Sequence, residues 1–210
     1  MSDIEARPGL FLAFPGGCLR PRRGDDEEVN KAWSGINHPE NRMYLMRRHP
    51  QSFVAQQEWL RKPDSPTDLV LVIEFENEAI GTMGVHGIDM IHGTATTGAL
   101  IWDQKHWNRG IGYNAKMVLL DYLFNMLNLR IIYSKVIGFN GRSAKYSDKC
   151  GYKLVATLED HFRFGDHFED ELFLSVTRDR FMPLWQQFQI ENSIETLNEI
   201  VERHKGVNKT

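Results

Sequence analysis

One stretch of sequence decides how this chain is interpreted: Trp107-Asn108-Arg109-Gly110-Ile111-Gly112-Tyr113-Asn114-Ala115. Strand-like sequence precedes it, and a helical pattern follows it. Its glycines, Gly110 and Gly112, remove side chains where a backbone would approach a ligand closely. The first N–H groups of a helix lack partners within the helix and carry the positive end of its dipole. The stretch therefore predicts an anion-binding turn, with a tight turn that binds nothing as the alternative.

Downstream of this turn the apolar pattern changes from helix to strand and back. Apolar residues between Ala115 and Met126 recur every three or four positions, which predicts a helix of about four turns. The segments after it predict a strand, a short helix and two strands around a polar turn: Arg130 to Ile137, Asn140 to Cys150, Tyr152 to Leu158 and Glu171 to Val176.

Upstream of the turn, three β-branched and apolar runs predict an antiparallel meander: Leu69 to Phe75, Ala79 to Ile88 and Gly93 to Asp103. A broken first strand is expected within residues 9–22, because Pro15-Gly16-Gly17 interrupts its apolar residues. Two helices should follow, one after the acidic run Asp25 to Glu28 and one that begins near Pro50 and ends before Pro63.

The last part of the chain predicts a helical extension. Phe181, Leu184, Trp185 and Phe188 fall on one helical face. Ile194, Leu197 and Val201 form a second apolar face, after a possible capping box from Asn192 to Glu195. We expect these faces to pack on the same domain, with contact between subunits of a homodimer as the less favoured alternative.

Composition limits the classes of function. A chain of 210 residues that is 41% hydrophobic suits one domain. The net charge is −3 and the basic residues are dispersed, so we expect no nucleic acid partner. Without a signal peptide or the roughly 20 consecutive apolar residues of a membrane span, the protein is expected in the cytoplasm and not in a membrane.

Cysteine and histidine usage predicts neither a disulfide framework nor a metal site. Cys18 and Cys150 are far apart and lack the C-x-x-C spacing of a redox or zinc motif. Scattered histidines and one carboxylate match no compact ligand motif: His86, Asp89, His92, His161 and His167. We therefore expect no bound metal.

The turn at Trp107 to Gly112 resembles the R/Q-x-x-G-x-G/A signature of the GNAT acetyltransferases, whose backbone amides bind the diphosphate of acetyl-CoA. Further motifs are similar in order to those of the ribosomal-protein N-terminal acetyltransferase branch: Leu19-Arg20-Pro21, Glu58-Trp59-Leu60, Ala79-Ile80-Gly81, Asn140-x-x-Ser143 and Lys149-Cys150-Gly151-Tyr152. This resemblance covers about residues 18–182. It implies an α+β GNAT fold with a mixed central sheet of about seven strands flanked by helices, as a domain at 1–177 with a C-terminal helical extension at 178–210.

The resemblance also implies an activity, which is transfer of an acetyl group from acetyl-CoA to a primary amine by direct attack in a ternary complex. The amine would be a protein N-terminus or a small molecule. The residues that the resemblance implies bind the cofactor lie in the turn, in the strand before it and in a later helix: Leu100, Ile101, Trp107, Asn108, Arg109, Gly110, Ile111, Gly112, Tyr113, Asn140 and Ser143. A backbone N–H near Leu100 or Ile101 would bind the thioester oxygen.

Two side chains that the family commonly uses for catalysis are replaced. Thr97 stands where the branch commonly has Glu, and Ser147 stands where many GNAT enzymes have a Tyr that protonates the leaving thiolate. For the acid we favour Ser143, one turn beyond Asn140. Tyr146 is the rival, although it is rotated by about 100° from the usual position and is expected to point elsewhere.

The base remains open among several groups. Histidine as a residue type has a suitable intrinsic pKa, and His86 lies on a predicted strand, although a structural histidine is the commoner case. Asp160 and His161 are near the end of the next-to-last strand, and water is a further alternative. The acidic segment from His161 to Asp170 would favour a cationic amine unless it is only a solvated loop. Because the usual catalytic residues are absent, a catalytically weak acetyl-CoA-binding sensor or assembly module is the alternative function.

Overall fold

The computed structural model describes residues 9–47, 49–63 and 65–194. In this part of the chain, eight strands form one mixed sheet with the order β1-β2-β3-β4-β5-β6-β8-β7. The strands are β1 (Leu12–Phe14), β2 (Gly17–Pro21), β3 (Asp68–Phe75), β4 (Glu78–Asp89), β5 (Thr94–Ile101), β6 (Ile131–Ile137), β7 (Lys153–Phe164) and β8 (His167–Thr177). The helices are α1 (Asp26–Asn37), α2 (Pro39–Met43), α3 (Phe53–Arg61), α4 (Ile111–Asp121), α5 (Gly141–Lys149) and α6 (Arg178–Asn192).

The pairing between β5 and β6 is parallel and short, whereas the other pairings are antiparallel. It joins Thr94–Thr97 to Ile131–Ser134 and stops there, although both strands continue. At the end of β5, Leu100 and Ile101 pair with β4 but with no residue of β6. This part of β5 therefore has a neighbouring strand on one side only. A cleft therefore opens between the carboxyl ends of β5 and β6.

Helices cover the two faces of the sheet. On one face, α4 and α6 bury a large apolar cluster that includes Met83, Ile132 and Val176. On the other face, α1 and α3 pack a smaller cluster against the end of β5: Val29, Ala32, Leu60 and Trp102. Residues on successive positions of a strand point to opposite faces. The end of β5 therefore presents side chains to both helical layers.

A buried ion pair network anchors α1 to the sheet. The Arg20 side chain, 3% exposed, donates from Nε to Glu74 at 2.6 Å and from Nη1 to Glu28 at 2.8 Å. Glu28 lies in the first turn of α1, where Asp25 caps the helix by accepting the N–H of Glu28. Because Arg20 is on β2 and Glu74 on β3, the network fixes where α1 begins.

The sequence predicted the meander β3–β5, the helix after Gly110 and the strand β6 correctly. The expected broken first strand is a hairpin of two strands, because Gly16 adopts a φ of 81° in the turn between them. The sheet has eight strands in the described part of the chain, where about seven were expected. The short helix α2 was not expected. The next helix begins at Phe53, capped by the Ser52 hydroxyl, and not near Pro50.

The expected polar turn between the last two strands is wrong in its extent. Strand pairing continues to Phe164 and resumes at His167, so only Gly165 and Asp166 remain for the turn. A bulge between Leu158 and Phe162 interrupts the hairpin. Short-range polarity suggested a loop here, but antiparallel pairing across a two-residue turn satisfies the backbone of this polar segment.

The helical extension is integrated with the domain over its described length. Phe181, Trp185 and Phe188 on α6 are buried and belong to the main core, as their spacing predicted. The expected second apolar face, at Leu197 and Val201, and the Glu195 end of the capping box lie outside the described residues.

Candidate functional site

The predicted anion-binding turn adopts the backbone geometry that such a site requires. Gly110 precedes α4 with a φ of 77°, in the left-handed region that glycine adopts without strain. The first helical hydrogen bond runs from the Asn114 N–H to the Gly110 carbonyl at 2.9 Å. The N–H groups of Ile111, Gly112 and Tyr113 come before it and have no helical partner.

The space in front of these amides is open. A Cβ added at Gly112 would meet only Ile101 Cδ1, at 3.7 Å, and one added at Gly110 would meet nothing within 4 Å. The glycines are therefore not needed to relieve contacts within the protein. They leave room for a ligand at the positive end of α4, and a diphosphate fits that position in charge.

A cavity of about 500 Å³ extends from this turn along the free edge of β5 to the end of α2. Ala99, Leu100 and Ile101 form its floor. Its remaining walls come from α2 and the residues after it, from the turn before α4 and from α5: Asn41, Tyr44, Leu45, His106, Trp107, Asn108, Gly110, Ile111, Gly112, Tyr113, Asn140, Arg142, Ser143, Lys145, Tyr146 and Lys149.

The charges around this cavity have one sign. Arg142, Lys145 and Lys149 line it, and its described lining contains no Asp or Glu. These cations recur at spacings of three and four along α5, so they share one face of that helix. A cavity with this balance suits a polyanionic ligand such as coenzyme A.

Aromatic rings hold Arg142 over the cavity. Its guanidinium carbon lies 3.6 Å from the Trp107 ring centroid and 4.7 Å from that of Tyr44. Trp107 in turn donates its indole N–H to the Ile101 carbonyl at 3.1 Å. The aromatic contacts continue to Phe139, whose ring centroid lies 5.8 Å from that of Tyr44. Arg142 therefore connects the turn before α4 with the wall at the end of α2.

The start of α5 brings the two candidate acids together. Asn140 caps the helix by accepting the Ser143 N–H at 3.1 Å, which leaves the Ser143 hydroxyl free of this role. Tyr146 packs against the main core cluster, as expected for a core tyrosine, and it also lines the cavity. Burial raises the pKa of the Tyr146 phenol well above its usual value, against the opposing effect of the Ser143 and Ser147 hydroxyls. This group is a neutral proton donor at pH 7.

His106 lines the cavity with a fixed tautomer. Arg109 Nη1 lies 3.2 Å from His106 Nδ1, and since a guanidinium only donates, Nδ1 accepts and the ring proton belongs on Nε2. Nε2 is buried and has no hydrogen-bond partner among the described residues. Burial lowers the pKa of His106, so the ring is neutral. Its unpaired donor is what an oxygen of a bound ligand would satisfy.

Three predicted site residues do not line the cavity. Arg109 turns away to Glu76, at 3.0 Å, and stacks on Phe75. His86 pairs through Nδ1 with Asp68 at 2.9 Å, and on β4 it lies opposite Thr96, beyond the cavity floor. Asp160 lies in the bulge of the β7–β8 hairpin, where its N–H donates to Asp170.

A buried lysine lies behind the turn, on the inner side of α4. Lys116 is 1% exposed, and its Nζ has no hydrogen-bond partner among the described residues. Burial lowers its pKa to about 8. Burial also raises the pKa of the nearby Cys150 thiol to about 12, against the opposing effect of Lys116. Cys150 is a buried free thiol, as expected from the lack of C-x-x-C spacing between the two cysteines.

The sequence reasoning missed Asn41, Tyr44, His106 and the three cations of α5. The cations had a readable signal, because Arg142, Lys145 and Lys149 follow helical spacing after the Asn140 cap. Asn41 and Tyr44 had none, because α2 itself was not expected.

The described residues contain no group of three or more His, Cys, Asp or Glu arranged to hold a metal ion. Among them, no helix combines the length and apolar composition that crossing a bilayer requires.

Comparisons with known proteins agree with this geometry. The family model of the acetyltransferase (GNAT) domain matches residues 18–153. A relative described as the uncharacterized N-acetyltransferase p20 of Bacillus licheniformis is 29% identical over 108 residues, which are 51% of this chain and 60% of that protein. This match spans less than two thirds of the relative.

Solved structures show the same fold. A spermidine N-acetyltransferase from Vibrio cholerae, in complex with CoA and spermine, superposes with a TM-score of 0.72 at 20% identity, over 80% of this chain and 99% of that one. A putative acetyltransferase from T. thermophilus superposes with a TM-score of 0.71 at 22% identity, over 89% of this chain and 98% of that one. The expected α+β GNAT fold is thereby confirmed, and the chain belongs to the GNAT acetyltransferase domain family.

Proposed function

We propose that this protein transfers the acetyl group of acetyl-CoA to a primary amine, by direct attack within a ternary complex. The observation that carries this proposal is the unpaired amide row of Ile111, Gly112 and Tyr113, which faces an open cavity whose described lining lacks carboxylates. Bound acetyl-CoA would supply the thioester. In this proposal the protein binds the diphosphate at these amides, with Trp107, Asn108, Gly110 and Asn140 around it.

The free edge of β5 is the place for the acyl group. The carbonyl oxygen of a thioester gains negative charge when an amine attacks, and a fixed N–H donor stabilises that charge. Leu100 and Ile101 line the cavity beyond the last residue that β6 pairs with. We assign this donor role to a backbone N–H of this pair, as the family resemblance implies.

Ser143 and Tyr146 are the groups placed to return a proton to the leaving thiolate. Both line the cavity from α5. The Tyr146 phenol carries a proton at neutral pH, and its raised pKa makes it a weaker acid than an exposed tyrosine. Ser143 remains the first assignment, with Tyr146 as its partner or replacement.

The described lining of the cavity offers no evident general base. His86 and Asp160 lie outside it, and the one basic nitrogen of neutral His106 is taken by Arg109. An amine must then enter in its neutral form and lose its proton to water. An α-amine has a pKa of about 7.7 to 8.0 and a lysine-type amine about 10.4, so an α-amine is neutral far more often at pH 7.

This difference favours a protein or peptide N-terminus as the acceptor, in line with the ribosomal-protein N-terminal acetyltransferase branch. A small-molecule amine is the second candidate, because the Vibrio cholerae structure holds spermine. The lack of a base in the described cavity lining also suits the alternative of an acetyl-CoA-binding sensor or assembly module, which would bind without turnover.

Thiol release from acetyl-CoA separates these functions. The assay is run on peptides with free α-amines, on polyamines and on aminoglycosides, together with calorimetric binding of acetyl-CoA. We expect turnover that is fastest with α-amines and that rises with pH through the acceptor's own pKa. Tight binding with no turnover on any amine would favour the sensor, and no binding at all would refute the proposal.

The remaining expectations stay proposals with direct tests. A cytoplasmic location is testable by fractionation, and a homodimer by light scattering. A boundary between residues 1–177 and an extension at 178–210 is testable by limited proteolysis. The burial of Phe181 and Trp185 predicts that the chain resists cleavage before α6 ends.

A further inference from the structure

Two lysines on α5 bring unpaired positive charge to the cavity. Lys145 and Lys149 are exposed and line it, and neither forms an ion pair or a hydrogen bond with another described residue. The third cation on this face of α5, Arg142, is held over the rings of Trp107 and Tyr44. Lys145 and Lys149 are therefore the cations of the described lining that have no partner within the described protein.

The end of α5 lies beside the start of α4. Burial, together with Cys150, which directly follows Lys149, raises the pKa of Tyr113 in the first turn of α4. Tyr113 belongs to the unpaired amide row, and both it and Lys149 line the same cavity. A lysine has a long, flexible side chain, so a ligand bound at the amide row lies within reach of the α5 lysines.

Coenzyme A carries more negative charge than the amide row accounts for. The row suits the diphosphate, but the ribose attached to that diphosphate also carries a 3′-phosphate. A phosphate monoester has a charge of about −1.5 to −2 at pH 7 and binds best to cationic donors. His106, the remaining basic side chain of the described lining, is neutral. The lysines of α5 are thus the cationic groups left for this phosphate.

We propose that Lys145 and Lys149 bind the 3′-phosphate of coenzyme A and select CoA thioesters over thioesters that lack this phosphate. This assignment deepens the proposed function and rests on it. Residues four apart share one face of a helix and lie about 6 Å apart along its axis, so one phosphate can lie between the two ammonium groups. Both lysines are specificity-determining residues for the acetyl donor and take no part in the chemical step.

Two ligands that differ only in this phosphate test the role without knowledge of the acceptor amine. These are CoA and 3′-dephospho-CoA, and calorimetric titration measures the affinity of each. The wild-type protein should bind CoA about ten-fold more tightly, the size of one charge-assisted hydrogen bond. The ratio should shrink as salt is added, because both lysines are exposed and their charges are screened.

A double variant and a matched control assign the preference to these side chains. The protein with both Lys145→Gln and Lys149→Gln should bind the two ligands with a ratio of about one, and most of the loss should fall on CoA. The melting temperature should change little, because both positions are on the surface. Lys153→Gln is the control and should keep the wild-type ratio, since Lys153 pairs with Asp148 at 2.8 Å and does not line the cavity.

The titrations distinguish failure of this assignment from failure of the proposed function. Equal affinity of the wild-type protein for CoA and 3′-dephospho-CoA overturns the assignment. A preference that survives in the double variant also overturns it, because the 3′-phosphate would then be bound elsewhere. So does an equal loss for both ligands, which would mean that the lysines act on a part that the ligands share. If the wild-type protein binds neither ligand, the proposed function itself has failed.

Discussion

Two parts of the cavity wall are built by different means. At the turn before α4, where we propose that the cofactor binds (the cofactor end), the consecutive residues Trp107 to Tyr113 present backbone amides at the start of α4. On the α2 side, Asn41 and Tyr44 are positioned by contacts with α1, with Trp102 after β5 and with Arg142 of α5. A site made of local backbone depends on few distant residues, whereas a site made of side chains depends on the whole packing around it.

The largest expected effect concerns the anchoring of α1, which supports the α2 side of the cavity. Arg20→Met should lower the free energy of unfolding by about 3 to 5 kcal/mol, because it leaves Glu28 and Glu74 buried without the guanidinium between them. Urea melts measure this. Lys31→Met, which removes an exposed pair with Glu27 on the same helix, is the control and should cost less than about 1 kcal/mol. Similar losses in the two variants would mean that α1 is not anchored by Arg20.

The next effect tests the cofactor end. Gly112→Asp should weaken acetyl-CoA binding by at least about a hundred-fold, since it puts a carboxylate where the diphosphate would lie. The melting temperature should stay near that of the wild type, because a Cβ there meets only Ile101 at 3.7 Å. Gly141→Asp is the matched control, with open space around it and no part in the cavity lining. Unchanged affinity in Gly112→Asp would place the cofactor elsewhere.

A third prediction separates stability from binding at the cofactor end. Lys116→Met should raise stability at pH 7 by about 3 kcal/mol, because the buried ammonium has a pKa of about 8, below the unfolded value of about 10.4. Below pH 8 the penalty of the charge is present in full. It disappears as the pH rises from 8 to 10.4, so the advantage of the variant should shrink in that window. Urea melts at pH 7 and 9.5 check this, and acetyl-CoA affinity should not change.

The smallest effect concerns Arg142, which lies over both Trp107 of the turn and Tyr44 on the α2 side. Arg142→Gln should weaken acetyl-CoA binding about five- to ten-fold, with a weaker dependence on salt, because one cavity cation is lost. Titrations at two ionic strengths measure it. Lys153→Gln is the control, since that lysine pairs with Asp148 and does not line the cavity. Equal affinities in the two variants would indicate that Arg142 serves the aromatic stack alone.

The sequence predicted the parts of the site that local backbone forms and did not predict those that depend on distant contacts. The turn at Gly110, the α5 start at Asn140 and the meander were predictable because spacing, glycine and caps act within a few residues. The position of Asn41 was not, because it depends on the carbonyls of Gly35 and Trp102, and Trp102 is far away in sequence. The extension of the last hairpin to Phe164 was not predicted for a similar reason, since its polar residues are ordered by cross-strand pairing.

The short parallel seam between β5 and β6 has a consequence for how the chain fluctuates. Strands β1–β5 and β6–β8 each form by antiparallel pairing, and in the described part of the sheet four residue pairs join the two groups. Parallel pairing is slightly less stable per residue than antiparallel pairing, and only these four pairs close the seam, so we expect it to open early. Amide protons along this seam should therefore exchange with solvent sooner than those within either group, and a ligand bridging both groups should slow them most.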